Sequence, residues 1–555
     1  MSASPRPTGK RIPTLKPDPR PRLEALIVGL AILTILANVI GLLFLWRGRP
    51  SPSPAPAEPT APAATEPTLS GPEFYRPENL ALGQKLPVTR FRNGAGETVD
   101  LLTAYPGQTL VLMYWGTWCP YCEKQLESLA QLQSAAEEAG GARLILVNKT
   151  DESKEETVQK AEEYLQKMGW DSYDHVYDVG LEAYRAYGMK RIPTTIVADE
   201  AGYVRAMETK VLTAEAFGDL LEYARIGNAG KQLPFLESSM MNPQGGIYTA
   251  YRNSAAPSPK GHDVLSESMG LLMNCAVQLD DRALFQRCWG FVSENMERQG
   301  VFAWYVAEDG TQGTANALLD DLRIARALYL AEEKWGGYAQ PLEALAAGIL
   351  DKNVYRGHLS SFFDFRQGKP GSSISLTYGD FTALELLAQS RSEFAALGED
   401  LLQIVQGGFI SPEFPLYYAS YDYGTGTYSR DSLNTAEALL TVYHLSEQGL
   451  AREETLQWLK DALQGGTLAA RYRVDGTAEA GYQYDSTAVF AIAALIGQAT
   501  GDGALYHMAR NAMERSYVSD AGSRFCGAFL RGGDLQAFDQ LLPLTVYATG
   551  GSVTF

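Results

Sequence analysis

The sequence predicts a multidomain chain: a transmembrane helix, then an α/β domain, then an all-α toroid of helical hairpins. Three observations predict it. A charge-free apolar run fills residues 26–46, a Cys-x-x-Cys pair separates a β-prone run from an amphipathic helix at residue 119, and from residue 265 about eleven helical segments follow in pairs. At 555 residues the chain is long enough for about three structural units. The divisions are a basic tail 1–25, a membrane helix 26–46, a proline-rich linker 47–72, an α/β domain 73–228 and a helical domain 229–555.

The tail holds six basic residues, Arg6, Lys10, Arg11, Lys16, Arg20 and Arg22, and the positive-inside rule places it in the cytoplasm. The run Leu26–Trp46 spans twenty-one residues, enough to cross a hydrocarbon core of about 30 Å as a helix. A cleaved signal peptide is the competing reading. It has a shorter apolar region and a small-residue cleavage site, whereas Trp46, Arg47, Gly48 and Arg49 close this run. Everything after Trp46 is therefore expected outside. The linker alternates proline with small residues and forms a semi-extended spacer.

A formal charge of -18 repels phosphate backbones and excludes nucleic acid as a partner for the bulk of the chain. Five cysteines are too few for a disulfide framework, and the five histidines stand apart from one another and from cysteine. With neither zinc-finger spacing nor HExxH, no metal site and no cofactor is predicted.

In the α/β domain, TLVLMYWGTW (109–118) reads as a buried strand that delivers Cys119 to the start of a helix, EKQLESLAQLQSAAEEAG, with leucines 126, 129 and 132 at helical spacing. Unpaired amides and the helix dipole at that terminus stabilise a thiolate, which makes Cys119 the attacking sulfur and Cys122, one turn on, the resolving one. ARLILVNKT (142–150) reads as the next strand, ESKEETVQKAEEYLQKM as a crossover helix and HVYDV as a third strand. A lone CxxC can also be half of a metal site, but no second CxxC exists to complete one.

WGTWCPYC, followed by MKRIPTTIVADEAGYVRA with its Gly202 turn, resembles the thioredoxin superfamily, and most of all its membrane-anchored extracytoplasmic branch of the TlpA and ResA type. The resemblance implies a thioredoxin-like fold, thiol–disulfide oxidoreductase activity on protein thiols or disulfides, Pro193 as a cis-proline facing the CxxC, and a backbone contact from Ile192 to the bound partner. It implies a bacterial cell membrane as the location. Pro120-Tyr121 does not fix whether the pair oxidises or reduces; the family resemblance favours reduction or exchange.

In the helical domain, Leu318, Leu322, Ala325 and Tyr329 share one helix face, as do Ala488, Ile492, Leu495 and Ile496. YSRDSLNTAEALL (428–440) and YQYDSTAVFAIAAL (482–495) look alike, as repeated hairpins should. SESMGLLM (266–273), FAWYVAEDG (302–310), ALLDDLRIARALYLAEEKW (317–335) and LTYGDFTALELLA (376–388) together resemble glycoside hydrolase family 8, whose members are (α/α)6 toroids that cut β-1,4-linked polysaccharides.

That resemblance implies inverting hydrolysis, in which a protonated carboxyl serves the leaving oxygen and a second carboxylate activates water. Glu267 takes the acid's position, although a Glu at a helix start is also an ordinary dipole partner. Asp321 remains where the family has its second aspartate; Leu319 replaces the first and cannot accept a sugar hydroxyl, so Asp320 takes that place only if the helix start shifts. For the base, Asp431 and Asp485 each match part of the family's block, and neither has its arginine. Both also fit as plain helix caps. Trp304 is the first choice for a sugar platform, with the tyrosines of 414–428 as further rings that suit either stacking or filling. Cys275 and Cys288 are open between two buried thiols and one disulfide. The alternative for the whole domain is a catalytically inactive toroid that binds glycan or protein, or docks a client for Cys119.

Overall fold

The computed structural model describes residues 85–138, 141–254, 258–466, 468–530 and 535–550. The basic tail, the membrane helix 26–46 and the linker lie outside these. Among the described residues no helix is long and apolar enough to cross a membrane.

The α/β part is a seven-stranded sheet of β1 (Arg90–Arg92), β2 (Thr98–Asp100), β3 (Leu110–Trp115), β4 (Arg143–Asn148), β5 (His175–Tyr177), β6 (Thr194–Ala198) and β7 (Val204–Glu208) in the order β2-β1-β5-β4-β3-β6-β7. Strand β3 runs parallel to β4 and antiparallel to β6. Its sequence is apolar throughout because both faces are covered. Val111, Met113 and Trp115 pack on one side with Leu126, Leu132 and Phe217, while Leu110, Leu112 and Tyr114 pack on the other with Leu101, Ile145 and Ile196. The register pairs Trp115 with Asn148 and Tyr114 with Thr194, so the end of β3 meets the end of β4 and the start of β6 at one edge of the sheet.

Helices α1 (Pro120–Leu126), α2 (Leu129–Glu138), α3 (Val158–Met168) and α4 (Ala214–Ile226) pack on it, with short helical turns at Leu101–Ala104 and Glu182–Ala186. The helix expected to run unbroken from Cys122 is divided at Glu127–Ser128, where Gln125 turns inward and exchanges hydrogen bonds with the Leu212 backbone, donating at 3.0 Å and accepting at 2.5 Å. The hairpin β1–β2 and helix α4 carry no signal that sequence periodicity picked out.

The second part is a double ring of helices. Six inner helices, α6 (Ser266–Gln278), α8 (Leu318–Trp335), α10 (Phe381–Ala388), α12 (Thr435–Glu447), α14 (Thr487–Thr500) and α16 (Ala537–Gly550), touch in that order, and α16 closes back on α6. Outside them lie α5 (Ala229–Ser239), α7 (Arg282–Phe291), α9 (Ala339–Lys352), α11 (Glu393–Gly407), α13 (Glu453–Gly465) and α15 (Gly503–Glu514). Helix α5, unpredicted and interrupted by Pro234, packs on α16 and so joins the first and last hairpins. Inner helices have neighbours all round, which is why α14 is buried continuously from Thr487 to Gly497 instead of showing a stripe.

Each outer helix is followed by a loop that returns to the start of the next inner helix. All the short β-pairs, such as Val264–Leu265 with Tyr305–Val306 and Leu433–Asn434 with Arg471–Tyr472, lie in these loops. They are two or three residues long, too short to show a period of two. Together they build one mouth of the ring. Cys275 and Cys288 are separate buried thiols, each pushed up to about 12 by burial.

Candidate active sites

At the edge of the sheet where β3 ends, Cys119 caps α1. Its Sγ accepts the Cys122 amide at 3.2 Å, with Pro120 in the first turn, and the two cysteines form a disulfide with Cα atoms 5.2 Å apart. In the reduced state that amide and the helix terminus favour a thiolate on Cys119. Cys122 is fully buried, whereas Cys119 is 6% exposed and Tyr121 between them is 68% exposed. Access is therefore to the first sulfur. The Ile192-Pro193 bond is cis, and Cys119 Sγ lies 3.6 Å from the Ile192 carbonyl oxygen. The four predicted residues of this site are thus together.

Gly116 explains why the loop before the pair can close. A Cβ there would lie 3.0 Å from Trp118 Nε1 and 3.4 Å from Ile192 Cδ1, so a side chain would wedge the two walls apart. Lys149 and Lys154 hold their ammonium groups 5.4 Å and 5.7 Å from the Trp118 ring, which sets positive charge beside the loop.

Sequence reasoning missed Glu156. It is 0% exposed, and its carboxylate accepts from the Thr117 amide at 2.9 Å, the Thr117 hydroxyl at 2.5 Å and Asn148 Nδ2 at 2.8 Å. It fastens the loop that presents Cys119. Its signal, one acid in the Glu-rich stretch 152–163, is invisible without the fold.

At the mouth of the ring, Glu267 is the second residue of α6, with its side chain 32% exposed. Trp304 stands next to it in the backbone sense, since its carbonyl accepts the Ser266 amide at 3.1 Å. Its half-buried ring packs on edge against Tyr305 at 4.7 Å. Gly313 leaves room for both rings, because a Cβ there would lie 2.9 Å from each.

Behind Glu267 lies a buried cluster. Arg323 Nη1 is 3.4 Å from Glu267 Oε1 and 3.8 Å from Asp320 Oδ1, and the Ser266 hydroxyl donates to Asp320 Oδ2 at 2.6 Å. Burial, reinforced by the Glu267 charge, pushes the Asp320 carboxyl up to about 7. The same Glu267 charge adds to desolvation in raising two further groups: the phenol of Tyr378, and the carboxyl of Glu437 in the first turn of α12, which reaches solvent at the mouth but is crowded by surrounding protein. Acid groups from α6, α8 and α12 and a phenol preceding α10 therefore share one electrostatic neighbourhood. Tyr378 and Glu437 are not singled out by the sequence, and Asp320 only as a stand-in for Leu319.

The remaining sequence candidates differ in burial. Asp321 is corrected from a sugar ligand to a framework residue. It is 0% exposed, its oxygens accept the Phe302 amide at 3.1 Å and Asn316 Nδ2 at 2.6 Å, and burial holds its carboxyl well above the usual range. Leu319 is likewise buried. Asp431 lies in an exposed loop and Asp485 is half-exposed before α14. The expected capping role falls to neither, since Asn434 caps α12, accepting from Ala436 and Glu437, and Ser486 caps α14, accepting from Val489.

A cysteine pair at a strand-to-helix junction opposite a cis-proline, joined to a helical ring with carboxyls at its mouth, defines a thiol–disulfide oxidoreductase fused to a glycan-acting domain. Residues 82–207 match the AhpC/TSA family and residues 245–359 match glycosyl hydrolases family 8. The thiol-disulfide oxidoreductase ResA of Halalkalibacterium halodurans is 32% identical over 127 residues, 23% of this chain and 68% of that one. The chain belongs, through this domain, to the ResA thiol–disulfide oxidoreductases. The putative lipoprotein YdaJ of Bacillus subtilis is 27% identical over 320 residues, covering 56% of this chain and 84% of the relative. A solved structure of a novel alpha-amylase from Clostridium perfringens is 26% identical with a TM-score of 0.54, covering 58% of this chain and 96% of that one.

Proposed function

We propose that residues 26–46 anchor the chain in a bacterial cell membrane with its N-terminus in the cytoplasm, and that both folded domains work outside. The first exchanges disulfides with protein thiols. The second hydrolyses a 1,4-linked polysaccharide or oligosaccharide with inversion, Glu267 donating a proton to the leaving oxygen as water attacks the anomeric carbon. The observation that carries the hydrolase reading is Glu267 itself, open at the ring mouth and backed by the buried Arg323–Asp320 pair. Supporting the membrane tether are the apolar run and a relative described as a putative lipoprotein. An alpha-amylase among the similar structures adds α-linked glucan to the β-linked polysaccharides that family 8 implies.

The test is release of reducing ends from soluble starch, cellulose, xylan and chitosan by the full chain, with the anomer of the first product read by NMR. Cleavage of one of them with inversion, reduced at least about a hundredfold in Glu267→Gln, is expected; no product from any polymer refutes the hydrolase reading. The buried Leu319, where family 8 has an aspartate, favours a second reading in which the toroid grips glycan without cutting it. Oligosaccharide binding without turnover would select that one. For the redox half, Cys122→Ser leaves Cys119 unable to resolve a mixed disulfide, so the trapped adducts name its clients.

A further inference from the structure

We propose that Glu437 is the water-activating carboxylate of the toroid, facing Glu267 across its mouth. This rests on the hydrolase reading above and assigns the half of the chemistry that Asp431 and Asp485 were expected to supply.

Ring topology comes first. Six inner helices close in sequence, so α6 and α12, the first and the fourth, stand on opposite sides. Inner helices begin at the same end of the ring. Glu267 and Glu437 are the second and third residues of their helices, which sets both in the first turn at the mouth and on opposing walls. Inversion needs this arrangement: one carboxyl on each side of the sugar ring, with room for a water beside the second.

Local packing aims the side chain outward. Its neighbours Ala436 and Ala438 are buried, and Glu437 between them is exposed. The backbone there is held at both ends, with Asn434 accepting the Glu437 amide at 3.4 Å and the Thr377 hydroxyl donating to its carbonyl at 3.0 Å. As an acid in the first turn it also suits the dipole of α12, and its position opposite Glu267 sets it apart from Glu447 at the far end of the same helix, which pairs with Arg326.

Chemistry agrees with the placement. Surrounding protein raises the proton affinity of Glu437 and Arg471 opposes it, while the two carboxyls disfavour being ionised together, so a proton held on one leaves the other as the acceptor. A carboxylate with raised affinity is a better proton acceptor. Tyr378 is held in its protonated form by burial and by the charges of Asp320, Glu437 and Glu267, so it is a neutral donor between the two walls. In the step itself a water hydrogen passes to Glu437 as the water oxygen bonds to the anomeric carbon. The glycosidic bond breaks and the leaving oxygen takes the Glu267 proton. Both carboxyls then exchange their protons with solvent.

The experiment compares the full chain with Glu437→Gln, Glu437→Ala, Asp431→Ala and Asp485→Ala on whichever glycan the unaltered chain cleaves. Glu437→Gln should lower kcat about a thousandfold with KM little changed. Azide should restore turnover to Glu437→Ala alone, yielding a glycosyl azide of inverted configuration. An unchanged rate of Cys119 alkylation and an unchanged melting temperature certify that these variants fold. Full activity in Glu437→Gln, or azide rescue in Asp431→Ala or Asp485→Ala instead, overturns the assignment and leaves the hydrolase reading standing. Absence of cleavage by the unaltered chain removes that reading, and the assignment with it.

Discussion

Glu156 shows what a single buried charge does for the redox loop. Its hydrogen-bond partners are two N–H donors and one hydroxyl, none of them a cation. Hydrogen bonds to a charged group are worth about 1.5–3 kcal/mol each, and buried donors left without an acceptor are penalised further. Glu156→Ala strands the Thr117 amide and Asn148 Nδ2 together, so a loss of about 3 kcal/mol is expected, read as a lower urea midpoint for the thioredoxin-like domain. Glu156→Gln keeps the shape and one acceptor and should fall between. At Cys119, the amide at 3.2 Å predicts a thiolate more stable than a free cysteine's. Iodoacetamide alkylation of the reduced chain should therefore titrate below the free-thiol value of about 8.5, and Cys122 should react far more slowly because it is buried.

At the scale of elements, what was readable from the sequence is what chain neighbours determine. The strand, the cysteine pair and the following helix adjoin in sequence, so Cys119 and its surroundings were legible. So were eleven of the ring's twelve helices, which stand in the chain as runs of helical length set apart by short turns. Glu437 was not, because its meaning depends on α12 standing opposite α6, a relation among helices more than 150 residues apart. Asp431 and Asp485 match an aromatic-Asp pattern in the chain, whereas Glu437 is marked only by its place in the first turn of an inner helix opposite α6. Asp321 misled for a similar reason, since local sequence does not say which of Asp320 and Asp321 turns inward to Asn316. Packing α8 against α6 also has a thermodynamic consequence. The Asp320 carboxyl sits at about 7 in the fold against an ordinary 3.8, so between those values the folded chain holds a proton that the unfolded chain releases. Its contribution to stability therefore declines as pH rises from about 4 to about 7 and is flat above. Urea midpoints of the chain at pH 4.5, 6 and 8 should decline more steeply than those of Asp320→Asn. Because the Glu267 charge helps to raise the Asp320 carboxyl, Glu267→Gln should soften the slope as well.

The whole molecule is joined at an aromatic clasp between the two folded parts. Arg510 of α15 donates to Tyr223 of α4 at 2.6 Å, to Tyr506 at 2.9 Å and to Glu514 at 2.9 Å, and Glu514 accepts from Tyr547 of α16 at 3.0 Å. The guanidinium lies 5.3–5.9 Å from the centres of those three tyrosine rings. Asn228, between α4 and α5, donates to Tyr547 at 2.9 Å, and Arg205 of β7 donates to the Gly550 carbonyl at 3.3 Å. Gly227 permits the approach: its φ is +59°, and a Cβ would come within 2.3 Å of the Tyr547 ring. Exposed ion pairs between domains contribute little, but this one is enclosed, and removing one member leaves Glu514 and three phenols facing an empty space. Arg510→Ala is expected to destabilise the contact by about 3–5 kcal/mol. Calorimetry should then resolve two transitions, thioredoxin-like domain and toroid, where the unaltered chain melts in one, and limited proteolysis should open the segment 226–229. Gly227→Ala should do the same through a clash, without touching any charge. If both variants still unfold in a single transition, the clasp does not couple the two domains.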